Sequence, residues 1–97
     1  MTDRDTILDA LRLALPELKR QWPIRSLAVF GSVARGEADA ASDLDVLVEF
    51  DRPVTLSSFL ALERKLTELA GRSVDLVSRL SLKPFVGARI LGETVPV

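Results

Sequence analysis

A pair of aspartates in the middle of the chain has the residue type and spacing of a metal-binding site. Asp43 and Asp45 lie two residues apart in the segment DLDVLVEF (residues 43–50), whose alternating pattern predicts a β-strand. Because successive side chains of a strand point to opposite faces, the two carboxylates share one face. They repel each other unless a cation lies between them. Hard oxygen ligands suit Mg²⁺, which is usually held by one or two carboxylates together with substrate phosphates.

A glycine–serine turn precedes this pair and predicts a phosphate-binding site. Residues 27–30 form an apolar run of the length expected for a buried strand, and Gly31 and Ser32 end it. Glycine allows a sharp turn and close approach of a ligand to the main chain. Ser32 lies at the first turn of a short helix predicted over residues 33–35, where exposed N–H groups and a hydroxyl favour phosphate. Both motifs meet at one end of two strands, as the transfer of a phosphate-containing group requires.

Asp75 is a third candidate for this chemistry. It is the only acid in the predicted strand 74–78, VDLVS. An aspartate in a short apolar strand is unfavourable unless it is paired or metal-bound. The alternative is an aspartate on an edge strand that simply faces water.

Arg35 and Ser42 complete the predicted nucleotide-binding set with the glycine–serine turn. Arg35 could pair with a phosphate, or it could form a salt bridge to a nearby acid, Glu37 or Asp39. The sequence favours neither role over the other. Ser42 is expected to act mainly by orienting the loop or Asp43 rather than by touching the substrate.

These motifs resemble the signature of the DNA polymerase β-like nucleotidyltransferases. The matching residues of its pattern G-S-x-A-R-G…S-D-x-D are Gly31-Ser32, Ala34-Arg35-Gly36 and Ser42-Asp43-Leu44-Asp45. The short chain is similar to the minimal nucleotidyltransferases, or MNT proteins, which act as antitoxins to HEPN-domain ribonuclease toxins. In the family that the chain resembles, an acid at the position of Asp75 completes the metal site. The resemblance therefore implies that Asp43, Asp45 and Asp75 are the catalytic, metal-binding residues.

Three aspartates beside a phosphate site predict a two-metal transfer mechanism. Asp43 and Asp45 would bridge two Mg²⁺ ions, while Ser32 and the Gly31 main chain hold the β and γ phosphates of the nucleotide. Asp75 would help to lower the pKa of an incoming hydroxyl, which attacks the α-phosphate as pyrophosphate leaves. Positioning and charge neutralisation would then provide most of the catalysis.

The resemblance also implies a donor, an acceptor and a partner. The donor is ATP, and the acceptor is a tyrosine near the ribonuclease site of a cognate HEPN toxin, with which the protein forms a hetero-oligomer. AMP on that tyrosine would block RNA binding by bulk and negative charge. Two alternatives stay open: a non-catalytic antitoxin that neutralises the toxin by capping it, and a nucleotidyltransferase that acts on a small molecule.

Composition limits the number of domains, the kinds of site and the partners that the protein can have. The 97 residues suffice for one modest core, so a single domain over residues 1–97 is expected. A net charge of −1 argues against a nucleic-acid partner. The chain has no cysteine and no histidine, which removes disulfides, thiolate metal sites and the commonest general base. No apolar run approaches about 20 residues and no signal peptide is evident, so no membrane association and a cytoplasmic location are expected.

Helical periodicity predicts the elements that surround these strands. A first helix begins near Arg4, with a kink or break expected at Pro16. A second helix, capped by Thr55 or Ser57, runs to about residue 70, and its exposed side comprises Glu63, Arg64, Lys65 and Glu68. A third helix is expected over residues 83–91, followed by an extended tail whose Pro96 excludes it from a central strand position.

The predicted fold class is α/β (α+β). A small mixed sheet of three to four strands is expected to carry helices mainly on one face. The strand order and direction of the polymerase β-like nucleotidyltransferase core are implied by the resemblance alone.

Overall fold

The computed structural model describes residues 3–39, 41–81 and 90–97. In chain order its elements are α1 (Asp3–Gln21), β1 (Ile24–Phe30), α2 (Gly31–Ala34), β2 (Leu44–Phe50), α3 (Leu56–Ala70), β3 (Val74–Ser78), a 3₁₀ turn (Arg79–Ser81) and β4 (Val95–Pro96). Ile90 and Leu91 are helical, and the rest of the helix predicted over residues 83–91 lies outside the described residues.

The four strands form one mixed sheet in the order β3-β2-β1-β4. β1 pairs antiparallel with both β2 and β4, whereas β2 and β3 are parallel. A parallel pair needs a crossover connection, and α3 supplies it. The prediction of a small mixed sheet with helices mainly on one face is confirmed.

The core lies between this sheet and the two long helices. Val29 and Val46 are paired across β1 and β2, so they share a face, and neither is accessible to solvent. The helices contribute fully buried leucines to the same cluster, namely Leu11, Leu18, Leu62 and Leu66. Burial of one face of each strand leaves the opposite face to carry the polar side chains of β2.

Helix α1 continues through Pro16, so of the predicted kink or break at this residue the break is wrong, and the kink stays a prediction. Proline removes one N–H donor from a helix, but it does not force the helix to end when the turns on both sides are anchored. Leu11 and Leu18 provide that anchoring because both are buried in the core.

Strand β1 begins at Ile24, three residues before the predicted apolar run. Trp22 brings the chain out of α1: its N–H donates to Leu18 O at 2.9 Å, and its carbonyl accepts from Ile24 N at 2.8 Å. The Trp22 ring is buried and its Nε1 donates to Ser58 O at 2.9 Å. The exposed Arg25 and Ser26 hide this part of the strand from a search for apolar runs.

Helix α3 matches its predicted caps. The Thr55 hydroxyl accepts from Ser58 N at 3.1 Å, and Gly71 ends the helix with φ +70°. The prediction that Glu63 is a solvated charge is wrong. Glu63 is half-buried, and its Oε2 accepts from Leu76 N at 3.0 Å.

The C-terminal tail closes one edge of the sheet. Strand β4 pairs with Ala28 and Val29 of β1, so Pro96 stands on an edge strand as predicted. Val97 N donates to Leu27 O at 3.0 Å, and Arg12 Nη2 donates to Pro96 O at 2.8 Å. Within the described residues, no helix has the length and apolar character needed to cross a membrane.

Candidate active site

The pairing of the strands brings the three predicted aspartates to one end of the sheet. Asp45 is the register partner of Asp75 across β2 and β3, and of Phe30 across β1 and β2. Paired residues on adjacent strands share a face, so the carboxylates of Asp45 and Asp75 are neighbours. Asp43 precedes β2 by one residue, and Gly31 follows directly after Phe30. The aspartates and the glycine turn therefore converge.

Gly31 is fitted to this position by its lack of a side chain. Its φ is +74°, a conformation that other residues rarely adopt. A Cβ placed there would overlap with Asp45 Oδ2 and lie 3.1 Å from Asp45 Cγ. The Asp45 carboxylate thus occupies the space beside the turn, and any larger residue would displace it.

The short helix after the turn is held by the core and by α1. Val33 and Ala34 are buried, and Arg4 Nη1 donates to Ala34 O at 3.0 Å. Phe30, the N-cap residue, makes no side-chain hydrogen bond to the helix. A phenylalanine side chain has no hydrogen-bonding group, so it cannot cap the first N–H groups of α2.

The electrostatics of the site are unfavourable without a cation. Burial raises the pKa of Asp45 above its ordinary value, and the charges of Asp75 and Asp43 raise that pKa further, while the positive charge of Arg35 lowers it. Within residues 3–39, 41–81 and 90–97, none of the three carboxylates takes part in a salt bridge or side-chain hydrogen bond. A positive ligand would relieve this repulsion.

The donor set fits Mg²⁺ that is shared with a substrate. All the candidate ligands are hard carboxylate oxygens, and Mg²⁺ commonly takes only one or two of these beside phosphates and waters. In the part of the chain that the structure describes, no group of three acidic side chains is placed to hold an ion by itself. A nucleotide's phosphates would supply the further oxygen ligands that such an ion needs.

Arg35 forms salt bridges in the structure. Its Nε lies 3.0 Å from Glu37 Oε2, and its Nη1 lies 3.1 Å from Glu93 Oε2. The hydrogen bond with Glu37 is the main reason that the pKa of Arg35 rises above its ordinary value. Of the predicted acidic partners, Glu37 is present, and Glu93 takes the place proposed for Asp39. A contact between Arg35 and phosphate stays a prediction.

Ser42 lies in a loop that its own hydroxyl helps to shape. Its Oγ donates to Asp39 Oδ1 at 3.2 Å and accepts from Asp39 N at 3.1 Å. Arg72 Nη1 donates to the carbonyls of Asp39 and Ser42, at 3.3 Å and 3.2 Å. These contacts agree with the prediction that Ser42 orients the loop before Asp43. A contact between Ser42 and a nucleotide stays a prediction.

Sequence patterns do not single out three residues that support the site: Glu63, Thr67 and Arg72. Arg72 ties down the loop before Asp43, and the other two bind the main chain of β3. A signal for Glu63 exists in its position, four residues after Phe59 and three before Leu66, at the border of the apolar face of α3. Arg72 has no comparable signal because its partners are main-chain carbonyls about 30 residues away.

Comparison with known proteins gives consistent results. Residues 11–97 match the family model described as "Nucleotidyltransferase domain". The chain is 43% identical over 81 residues to protein adenylyltransferase MntA of Thermococcus cleftensis. The matched region covers 84% of this chain and 82% of that protein.

Solved structures share the fold. A structure provisionally described as a minimal nucleotidyltransferase superposes with a TM-score of 0.83 and 38% identity, covering 100% of this chain and 97% of the other. A chain from the complex of tri-AMPylated Shewanella oneidensis HEPN toxin with MNT antitoxin superposes with a TM-score of 0.60, covering 97% of this chain and 67% of that one. At 19% identity, the second likeness concerns the fold alone.

Proposed function

The chain belongs to the nucleotidyltransferase domain family, and from that premise we propose that it is a Mg²⁺-dependent protein adenylyltransferase. It transfers AMP from ATP to a tyrosine hydroxyl of a cognate HEPN-domain toxin, with which it forms a hetero-oligomer, and so acts as the antitoxin. The main observation in support of this function is that Asp43, Asp45 and Asp75 lie close together beside the Gly31 turn. A protein that only caps its partner gains nothing from three carboxylates that repel one another.

Five of the seven predicted site residues have a defined role in this proposal. Asp43, Asp45 and Asp75 would hold two Mg²⁺ ions, which supply charge neutralisation at the triphosphate and polarise its phosphoryl oxygens. The main chain of Gly31 and the hydroxyl of Ser32 bind the β and γ phosphates. The close packing of Asp45 against Gly31 keeps the phosphate-binding turn next to the carboxylates.

The reaction is a displacement at the α-phosphorus of ATP. The tyrosine oxygen forms the new P–O bond, the bond from the α-phosphorus to the bridging oxygen breaks, and pyrophosphate leaves. The hydroxyl proton passes to Asp75, which is exposed at the edge of the sheet, or from there to water. The chain contains no histidine, so a carboxylate is the best-placed base that it can offer.

The choice of acceptor is supported by the relatives. One relative is named a protein adenylyltransferase, and a structure of the same fold contains an AMP-modified HEPN toxin with its MNT antitoxin. The HEPN toxin is therefore the first acceptor to test, ahead of small molecules.

The test is incubation of the protein with labelled ATP, Mg²⁺ and a cognate HEPN protein. We expect label on toxin tyrosines, detected as AMP adducts by mass spectrometry, and loss of that label in Asp43→Asn, Asp45→Asn and Asp75→Asn. Neutralisation of the toxin by all three variants without label would instead favour capping. Consumption of ATP on hydroxylated compounds, with no label on the toxin, would favour a small-molecule acceptor.

A further inference from the structure

We propose that Glu63 and Thr67 of α3 are positioning residues for Asp75. They hold the main chain of β3 on both sides of that aspartate and so fix the distance between Asp75 and Asp45. This inference rests on the proposed function, because the position of Asp75 matters when the aspartates act together on one ligand.

Among the described residues, strand β3 is the outermost strand of the sheet and pairs with β2 alone. Alternate N–H groups of an edge strand point away from the sheet and have no strand partner. Here two α3 side chains accept from them: Val74 N donates to Thr67 Oγ1 at 3.3 Å, and Leu76 N donates to Glu63 Oε2 at 3.0 Å. Asp75 is the residue between these two anchored positions, so its main chain is held from both sides.

The two acceptors form one unit on α3. Glu63 and Thr67 are four residues apart and therefore lie on the same side of the helix. The Thr67 hydroxyl donates its own proton to Glu63 O at 3.0 Å, which leaves its lone pairs for Val74 N. The helix that carries them is fixed to the core through Leu62 and Leu66, neither of which is accessible to solvent.

The need for such anchoring follows from the charges at the site. Asp75 faces Asp45 across the β2–β3 pair, so two like charges lie side by side on adjacent strands. Repulsion between them would push an edge strand outward unless its outer side were also bound. Small displacements of reacting groups reduce catalysis strongly, so an anchored edge preserves the geometry that a shared ligand needs.

A half-buried glutamate is also an unusual choice for packing alone. A leucine would satisfy helix propensity and apolar contact at this position without the cost of removing a carboxylate from water. The glutamate supplies a charge-assisted hydrogen bond to a main-chain N–H, which a leucine cannot make.

The experiment uses paired substitutions in the full chain. Glu63→Gln and Thr67→Ser keep an accepting oxygen, whereas Glu63→Leu and Thr67→Val remove it. Glu68→Leu, at an exposed position on the same helix, is the matched control for a charge lost from α3. Circular dichroism first establishes that each variant is folded.

Three readouts follow: amide hydrogen exchange at Val74 and Leu76, Mn²⁺ affinity in the presence of a non-hydrolysable ATP analogue, and the Mg²⁺ concentration for half-maximal transfer. We expect Glu63→Leu to weaken Mn²⁺ binding by about tenfold, because the loss of a residue that orients a metal ligand typically lowers metal affinity by at least this much. Exchange at Leu76 should accelerate in the same variant. Thr67→Val should act in the same direction at Val74, and Glu63→Gln, Thr67→Ser and Glu68→Leu should stay within about twofold of wild type.

Unchanged Mn²⁺ affinity in Glu63→Leu and Thr67→Val would overturn the inference. So would an equal loss in Glu68→Leu, because that would show a general effect of charge on α3. Transfer to the toxin by the wild-type protein decides the proposed function, while Mn²⁺ affinity across the variants decides the positioning role, so the two failures are distinguishable.

Discussion

The two ends of strand β2 place carboxylates in opposite electrostatic environments. Asp45 and Glu49 lie four residues apart on the same face of the strand, and both are half-buried. The pKa of Asp45 is raised by burial and by two neighbouring aspartates, whereas the pKa of Glu49 is lowered, chiefly by a hydrogen bond from Arg79. The surroundings of Asp45 therefore disfavour its ionised form, whereas those of Glu49 favour it.

The difference lies in where the compensating charge comes from. Arg79 Nη1 lies 2.6 Å from Glu49 Oε2, and Arg25 lies 3.5 Å from Glu49 Oε1 and 2.8 Å from Asp51 Oδ1. That end of the strand is neutralised by the chain itself. At the Asp45 end, no described side chain forms a salt bridge with the aspartates, which is typical of a binding site rather than of a structural ion pair.

The largest expected effect is that of Asp45→Asn. We expect the rate of AMP transfer to fall by about a hundredfold to a thousandfold, because the substitution removes one of the three carboxylates proposed to hold the metal ions. In EDTA the same variant should melt a few degrees above wild type, because the repulsion with Asp75 and Asp43 is gone. Labelled-ATP turnover and thermal denaturation measure the two effects.

Glu49→Gln is the matched control at the other end of the strand. It should retain transfer and should not gain stability, since Glu49 has cationic partners. A decrease in the metal-free melting temperature of Asp45→Asn would contradict the account of the acidic end.

Gly31→Ala should have the next largest effect, and Gly36 provides a control for it. Both glycines have positive φ values, +74° and +73°, so alanine costs each about 1 to 2 kcal/mol of backbone strain. Only at Gly31 would the new Cβ also overlap with Asp45, whereas at Gly36 nothing lies within 4 Å. Urea denaturation should show the larger loss for Gly31→Ala, and transfer should be lost in that variant alone. Equal transfer rates in both would show that contact with Asp45 is unimportant.

The two ends of β2 should also respond oppositely to pH. For Asp45 the pKa in the folded protein is raised, so its contribution to stability is present in acid and is lost as the pH rises through that raised value. For Glu49 the pKa is lowered, so its contribution is present above the ordinary glutamate value, about 4.3, and is lost as the pH falls through the lowered value.

Melting temperatures between about pH 3 and pH 7 in EDTA test this expectation. Asp45→Asn should gain most over wild type at the neutral end, and Glu49→Gln should lose most there. Mg²⁺ with a nucleotide should remove the penalty at Asp45, because it favours the ionised carboxylate. Parallel pH profiles for the two variants would contradict the comparison.

The two ends also differ in how well the sequence predicts them. Asp43 and Asp45 are two residues apart on one predicted strand, so local spacing alone places them on one face, and the apolar context of Asp75 indicates a second strand. The ion pairs of Glu49 join β2 to β1 and to the 3₁₀ turn. Those partners are set by strand order and register, which local patterns do not determine.

The same reasoning explains the rest of the fold. Caps and periodicity locate α3 and β3 well because their signals lie within a few residues, as for Thr55 and Gly71. The continuity of α1 through Pro16 and the burial of Glu63 depend on contacts with distant elements. A helix repeat marks Glu63 as lying at the border of an apolar face, but it does not reveal the N–H of Leu76 as its partner.

The smallest expected effect is that of breaking the Glu49–Arg79 ion pair. Arg79 is half-exposed, and pairs of this kind contribute little because water screens them and their side chains lose entropy. We expect Arg79→Met and Glu49→Gln each to lower the melting temperature less than Gly36→Ala does, and a double-mutant cycle to show weak coupling. Transfer should be unchanged in both, because the pair lies at the opposite end of β2 from the aspartates. A change in nucleotide affinity in Arg79→Met would show that the Glu49 end of the strand influences the Asp45 end. The two ends would then not be electrostatically independent.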